Sequence, residues 1–228
     1  MSKPLQLAFN NVLDHSFRQR SKAIGVYMAA NREKYIAFAE AIQPNLSKDK
    51  DIFGRIAFAI LSANTPFEAS VKALGYTLEQ WDRGRHIEWE ELTTFGAFVP
   101  NKVKWINTLM DSDLRDYRHR PAESWNDYRL RLKEIKGLGL TKASFAACML
   151  YPLQADLACV DTWIQKVFLG NEGFRQLRIK DYLAVEAKVR RFGRTFNVST
   201  FLAQWMIWDH ARGQSNNHAI FPGSHKGG

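Results

Sequence analysis

The stretch that decides the reading is "KGLGLTK", residues 136–142. Two glycines one residue apart interrupt a region that is helical in pattern on both sides. The periodicity predicts an amphipathic helix over 123–135 and a second, more apolar one over 140–150. Glycines let the chain turn tightly with positive φ and leave the backbone amides uncovered. The second helix then begins with unpaired N–H groups and a partial positive charge, a natural seat for a phosphate. The plain alternative is a structural corner between two helices, and a Gly-x-Gly alone does not choose between them.

Outward from the hairpin, helical periodicity dominates. Helices are expected over 5–20 and 31–43, the second closed by Pro44. "DIFGRIAFAILSA", 51–63, is apolar on nearly every face and reads as a buried central helix. Thr65 is placed to cap the next helix, with Pro66 at its first position and Gly75 as its stop. Short helical pieces follow over 78–95, then a helix over 101–110, and two more over 180–193 and 197–212. The tail 213–228 is polar and glycine-rich. No period-two alternation appears, so the expected class is all-α.

The chain has 228 residues, of which 46% are hydrophobic, enough for a substantial core. Its 32 Lys and Arg outnumber 23 Asp and Glu, a net charge of +9 that favours a polyanionic partner, nucleic acid first. Cys148 and Cys159 show no metal-ligand spacing, which excludes a cysteine-built zinc site or iron–sulfur cluster. His86, His119, His210 and His218 are scattered. The N-terminus does not read as a signal peptide, and no stretch approaches a membrane span. The expected location is intracellular, cytoplasmic or nucleoid-associated.

The second half resembles the helix–hairpin–helix DNA glycosylases, the endonuclease III-like superfamily. The residues that carry the resemblance are Ile135-Lys136-Gly137-Leu138-Gly139, the loop "YPLQAD" (151–156) and Asp161 in "ACVDTW" (158–163). "ILSAN" at 60–64 and "FGAFVPNKVKWI" at 95–106 resemble further segments of that family. The likeness covers 51–212, within a single expected unit of 1–228 whose hairpin spans 123–150. It implies a two-lobed helical fold with the active site in the cleft between the lobes. It also implies excision of a damaged, mismatched or modified base from double-stranded DNA by a monomer that flips the base out. The four cysteines of the iron–sulfur branch are missing here, so a cluster-free member is implied. No cofactor is required, and a monovalent cation (K or Na) at the hairpin is compatible.

Breaking a C1′–N bond builds positive charge on the sugar, which a nearby carboxylate stabilises. The resemblance gives that role to Asp161; on position alone, an aspartate before a helix is also an N-cap. A flipped base leaves a gap in the stack. By the resemblance, Asn64 and Phe98 stand where intercalating residues belong. Asn64 can instead end a helix, and Phe98 can be core. Trp163 is a candidate for stacking on the base. Lys136, Gly137 and Gly139 are assigned to the DNA backbone. Bifunctional relatives attack C1′ with a lysine amine. Counted from the glycines, that position holds Thr141, so Lys142 is expected to turn about 100° away, towards solvent or phosphate. Thr141 is then a candidate contact to the flipped nucleotide, and the expected enzyme is monofunctional. Attack by Lys142 is one alternative. A hairpin that binds DNA without chemistry is the other. Lys102, Lys104, Arg190, Arg191 and Arg194 are candidates to flank the groove.

Overall fold

The computed structural model describes residues 3–96, 99–170 and 176–213, with side chains from residue 19 onward. Ten α-helices occur among them, and no strand. In order they are α1 (Lys3–Ala41), α2 (Asp49–Leu61), α3 (Phe67–Asp82), α4 (Trp89–Thr93), α5 (Pro100–Met110), α6 (Trp125–Leu132), α7 (Leu140–Leu150), α8 (Thr162–Leu169), α9 (Ile179–Phe196) and α10 (Thr200–Arg212). A 3₁₀ turn, Leu114–Tyr117, lies between α5 and α6. No helix is long and apolar enough to cross a membrane among the described residues.

The all-α class agrees with the sequence, and α2 is buried from Ile52 to Leu61 as its all-round apolarity predicts. Two boundaries differ. The pair of helices expected before Pro44 is one continuous α1: no proline falls between residues 20 and 31, and Ile24 and Met28 of that stretch are buried at helical spacing. Gly75 does not stop α3, which continues to Asp82. Its side-chain-free position is open to space, so the helix passes through at the modest entropic cost of one glycine. Thr65 does not cap α3 either: Pro66 is the N-cap residue, and Thr65 hydrogen-bonds to the carbonyl of Ala63.

The helices pair in two groups. One is built on α2, which packs against α3, α5 and α7, with α6 against α7. The other is built on α10, which packs against α1, α8 and α9. The segment 155–160 passes from α7 in the first group to α8 in the second. It has no regular structure, so its polar backbone needs other partners. Glu186 on α9 accepts from the amide of Ala158 at 3.0 Å. Tyr182 donates to the carbonyl of Ala158 at 2.7 Å and accepts from the amide of Val160 at 3.3 Å.

Glu186 is itself held by Arg129 of α6, 2.8 Å away, with both side chains 2% exposed. This pair ties the hairpin's first helix to α9 and, through Ala158, to the entry of α8. Burial pushes the Glu186 carboxyl upward, and Arg129 opposes that shift. Removing one partner of such a pair leaves the other charge stranded. Arg129→Met is expected to destabilise by about 3–5 kcal/mol in urea unfolding, whereas Arg129→Met with Glu186→Leu recovers part of that loss, the Ala158 amide staying unpaired. Equal losses in the single and double variants would remove the ion pair from this role.

Candidate active site

Gly139 caps the start of α7, so the amides of Leu140, Thr141 and Lys142 have no helical partner. Gly137 has φ +92°, a region open to glycine. A Cβ there would lie 2.5 Å from Cε3 of Trp105, so the α5 indole packs directly under the turn. A Cβ on Gly139 would meet nothing within 4 Å. Lys136, Gly137 and Gly139 line one shallow recess with Trp105 and Lys133. The hairpin residues assigned to DNA backbone therefore share one surface.

The chemistry-bearing residues gather elsewhere, in a cavity of about 390 Å³ between the two helix groups. Asp161 and Trp163 are in its wall, with Lys142 and Phe145 of α7. Ser62, Thr65 and Phe67 come from the end of α2 and the start of α3, and Gln204, Trp205 and Trp208 from α10. Asp161 does cap α8: its Oδ1 accepts from the amide of Ile164 at 2.9 Å. It also interacts with the Trp208 side chain. The carboxylate is thus fixed by a helix N-terminus and an indole while it faces the cavity, so capping and a site role coexist. Burial raises its pKa; the bond to Ile164, then the Lys142 charge, hold that rise down.

Lys142 corrects the sequence expectation. It does not project away from Asp161 but lines the same cavity. Its stem passes the Phe145 ring, with Nζ 5.3 Å from the centroid, and Nζ donates to Ser62 Oγ at 2.8 Å. Counting from the glycines failed because the direction of a side chain follows the packing of the whole helix. Ala143, Phe145 and Ala146 bury α7 against its neighbours, and a four-carbon stem then reaches a site that a short side chain could not. Burial lowers the Lys142 pKa, opposed by the charges of Cys159 and Asp161. Thr141 is half-buried and is not among the residues lining the cavity.

Asn64 is exposed with φ +53°, in the turn after α2. Phe98 lies outside the described residues, as do His218 and 214–228 of the tail. Lys102, expected at the groove edge, is buried instead, while Lys104 is exposed. Arg190 is engaged with Asp156 at 2.7 Å. Trp163 is half-buried with Lys166 Nζ 4.4 Å from its ring centroid. Both cysteines are buried free thiols.

The residues that the sequence reading missed are those of α10. Gln204 lines the cavity, and its buried Oε1 has no hydrogen-bond partner. Trp208 closes another side, with the Arg212 guanidinium 3.9 Å above its ring. A lone glutamine inside the apolar run "FLAQWMIW" was the available signal.

The fold that carries this site has counterparts among solved structures. The 8-oxoguanine DNA glycosylase of Thermotoga maritima aligns over 90% of this chain and 100% of its own, with TM-score 0.67 and 18% identity. The chain has the fold of the 8-oxoguanine DNA glycosylases. That of Methanocaldococcus jannaschii aligns over 88% and 96%, with TM-score 0.68 and 19% identity. The M. jannaschii 8-oxoguanine glycosylase/lyase in complex with a 15mer DNA containing 8-oxoguanine aligns over 88% and 100%, with TM-score 0.69 and 20% identity. No family model matches the sequence. Among curated proteins, the ribosomal RNA small subunit methyltransferase G of Paracidovorax citrulli is 25% identical over 178 residues, 68% of this chain and 71% of that protein. At that identity it places the chain in no family.

The two hairpin glycines differ in what they tolerate. Gly137→Ala forces both the left-handed backbone and the Trp105 clash, and is expected to cost about 1–3 kcal/mol. Gly139→Ala has space and an ordinary φ of −76° and is expected to stay within about 1 kcal/mol. Thermal unfolding of the two variants checks this; equal losses would contradict the packing described.

Proposed function

We propose that the protein is a DNA glycosylase that also cleaves at the abasic site, with Lys142 as nucleophile and Asp161 as the carboxylate that assists it. The observation that carries the reading is that the Lys142 amine and the Asp161 carboxylate share one aromatic-walled cavity. The hairpin, with its uncovered amides and net charge of +9 behind it, suits the phosphate backbone of double-stranded DNA. A base swung out of the stack would enter between the helix groups.

In this reading, the Lys142 nitrogen forms a bond to C1′ while the C1′–N bond breaks. The base leaves with that electron pair and takes up a proton. The amine then sheds a proton, the sugar ring opens, and an imine links Lys142 to C1′. Strand cleavage follows by loss of a proton from C2′ and departure of the 3′ phosphate. Burial favours the chemistry by disfavouring the protonated amine, while Asp161 stabilises the positive charge that grows on the sugar.

The unpartnered acceptor of Gln204 favours a base that presents an N–H to it, and Phe145, Trp163 and Trp208 suit a flat ring. Guanine-type bases carry such donors. With the relatives in fold acting on 8-oxoguanine, that oxidised purine is the substrate we favour. No redox or metal cofactor enters these steps. The open face at Gly139 and the recess along 133–139 are compatible with a monovalent cation seated on hairpin carbonyls.

Incubation with 8-oxoguanine duplexes tests this. Lys142→Gln should abolish strand nicking, and Asp161→Asn should slow base release by about 10²–10³-fold while DNA binding persists. Base release by wild-type protein without nicking would restore the monofunctional expectation; no release from any modified duplex would leave a DNA-binding hairpin only. Gln204→Ala should lose discrimination for 8-oxoguanine by about 1–3 kcal/mol. Because the free amine reacts, nicking should rise with pH through a midpoint below 10.5, the ordinary lysine value. A midpoint at or above it would contradict the burial of the amine.

A further inference from the structure

Lys102 belongs to α5, one turn before the Trp105 that packs under the hairpin, and is only 4% exposed. Its ammonium donates to the carbonyl of Leu61 at 2.8 Å, to that of Ala63 at 2.6 Å and to Thr65 Oγ1 at 2.7 Å. An ammonium has three donors, so these acceptors use all of them and leave none for a phosphate. Leu61 ends α2, and the last turn of α2 holds no basic residue of its own. Lys102 therefore supplies the cation at the carbonyl end of that helix.

The turn it grips is the wall of the cavity. Ser62 and Thr65 line the cavity, and Asn64 stands exposed between them in a left-handed conformation that costs energy unless its surroundings impose it. Ser62 Oγ donates to the carbonyl of Ala59 at 3.1 Å, which turns its lone pairs to the Lys142 amine. A chain of contacts thus runs from Lys102 through the turn to Lys142.

We propose that Lys102 is a positioning residue: it fixes the 62–65 turn so that Ser62 holds the Lys142 amine towards the cavity. The proposal rests on the reading of Lys142 as nucleophile. A neutral side chain could fill the space but could not bind three acceptors on one turn. The two ammoniums also repel each other. Burial first and the Lys142 charge second bring Lys102 down to about 8. Lys142 in turn faces Asp161, whose negative charge favours its protonation.

The test compares Lys102→Met and Lys102→Arg with wild type in single-turnover nicking of an 8-oxoguanine duplex from pH 6 to 10. Binding to a tetrahydrofuran-containing duplex and thermal unfolding are measured alongside. Lys102→Met should slow nicking at saturating enzyme by about tenfold or more while binding of the tetrahydrofuran duplex is kept, because the Lys142 amine is no longer held towards the cavity. Lys102→Arg should recover part of the rate. A folded Lys102→Met with wild-type rate overturns the proposal, even if it melts earlier. Should that variant not fold, Thr65→Val removes one acceptor from the turn: slower nicking with unchanged duplex binding supports the proposal, and a wild-type rate overturns it. Wild-type protein that never nicks defeats the nucleophile reading itself, and this inference with it.

Discussion

Everything at the candidate site follows from burying an amine and a carboxylate in one aromatic-walled cavity. Each charge alone would be expelled or neutralised. Together, Lys142 and Asp161 each counter the other's desolvation, and the residual effect is an amine that sheds its proton more readily and a carboxyl that holds its proton more tightly than usual. The rings of Phe145, Trp163 and Trp208 in the cavity wall replace part of the water that would otherwise screen that interaction. In the proposed reading, the same rings face the flat base.

The fold supplies the two halves of this arrangement from separate helix groups. The α7 helix carries Lys142, and its N-terminus is the hairpin, so in the proposed reading contact with a phosphate backbone and placement of the amine depend on one element. Asp161 arrives from the irregular segment 155–160, which Glu186 and Tyr182 hold by its backbone. Because Arg129 secures Glu186 from α6, the hairpin's own first helix also fixes the carboxylate's approach. Lys102 makes the corresponding link on the third side, between α5 and the end of α2.

Much of this was legible in the sequence. All-round apolarity announced the buried α2, and glycine spacing announced the hairpin. The capping position of Asp161 was also readable, because an aspartate before a helix acts locally. What escaped was set by tertiary direction. Lys142 was assigned outward by counting from Gly137 and Gly139, but the packing of Ala143 and Ala146 turns α7 so that its stem reaches Ser62. Gln204 and Trp208 were hidden because a helix buried on most faces gives no period by which to separate core from cavity wall. Lys102 looked like a surface cation, as most lysines are. Only the three carbonyl and hydroxyl acceptors at the end of α2 reveal why it is inside.

The central claim is that one amine, on Lys142, becomes covalently joined to the sugar. Wild-type protein reacted with an 8-oxoguanine duplex in the presence of borohydride, which reduces an imine to a stable secondary amine, can be digested and mapped by mass spectrometry. The account predicts a deoxyribose remnant on the peptide containing Lys142. Base release without any adduct, or an adduct carried by a different lysine, would contradict it.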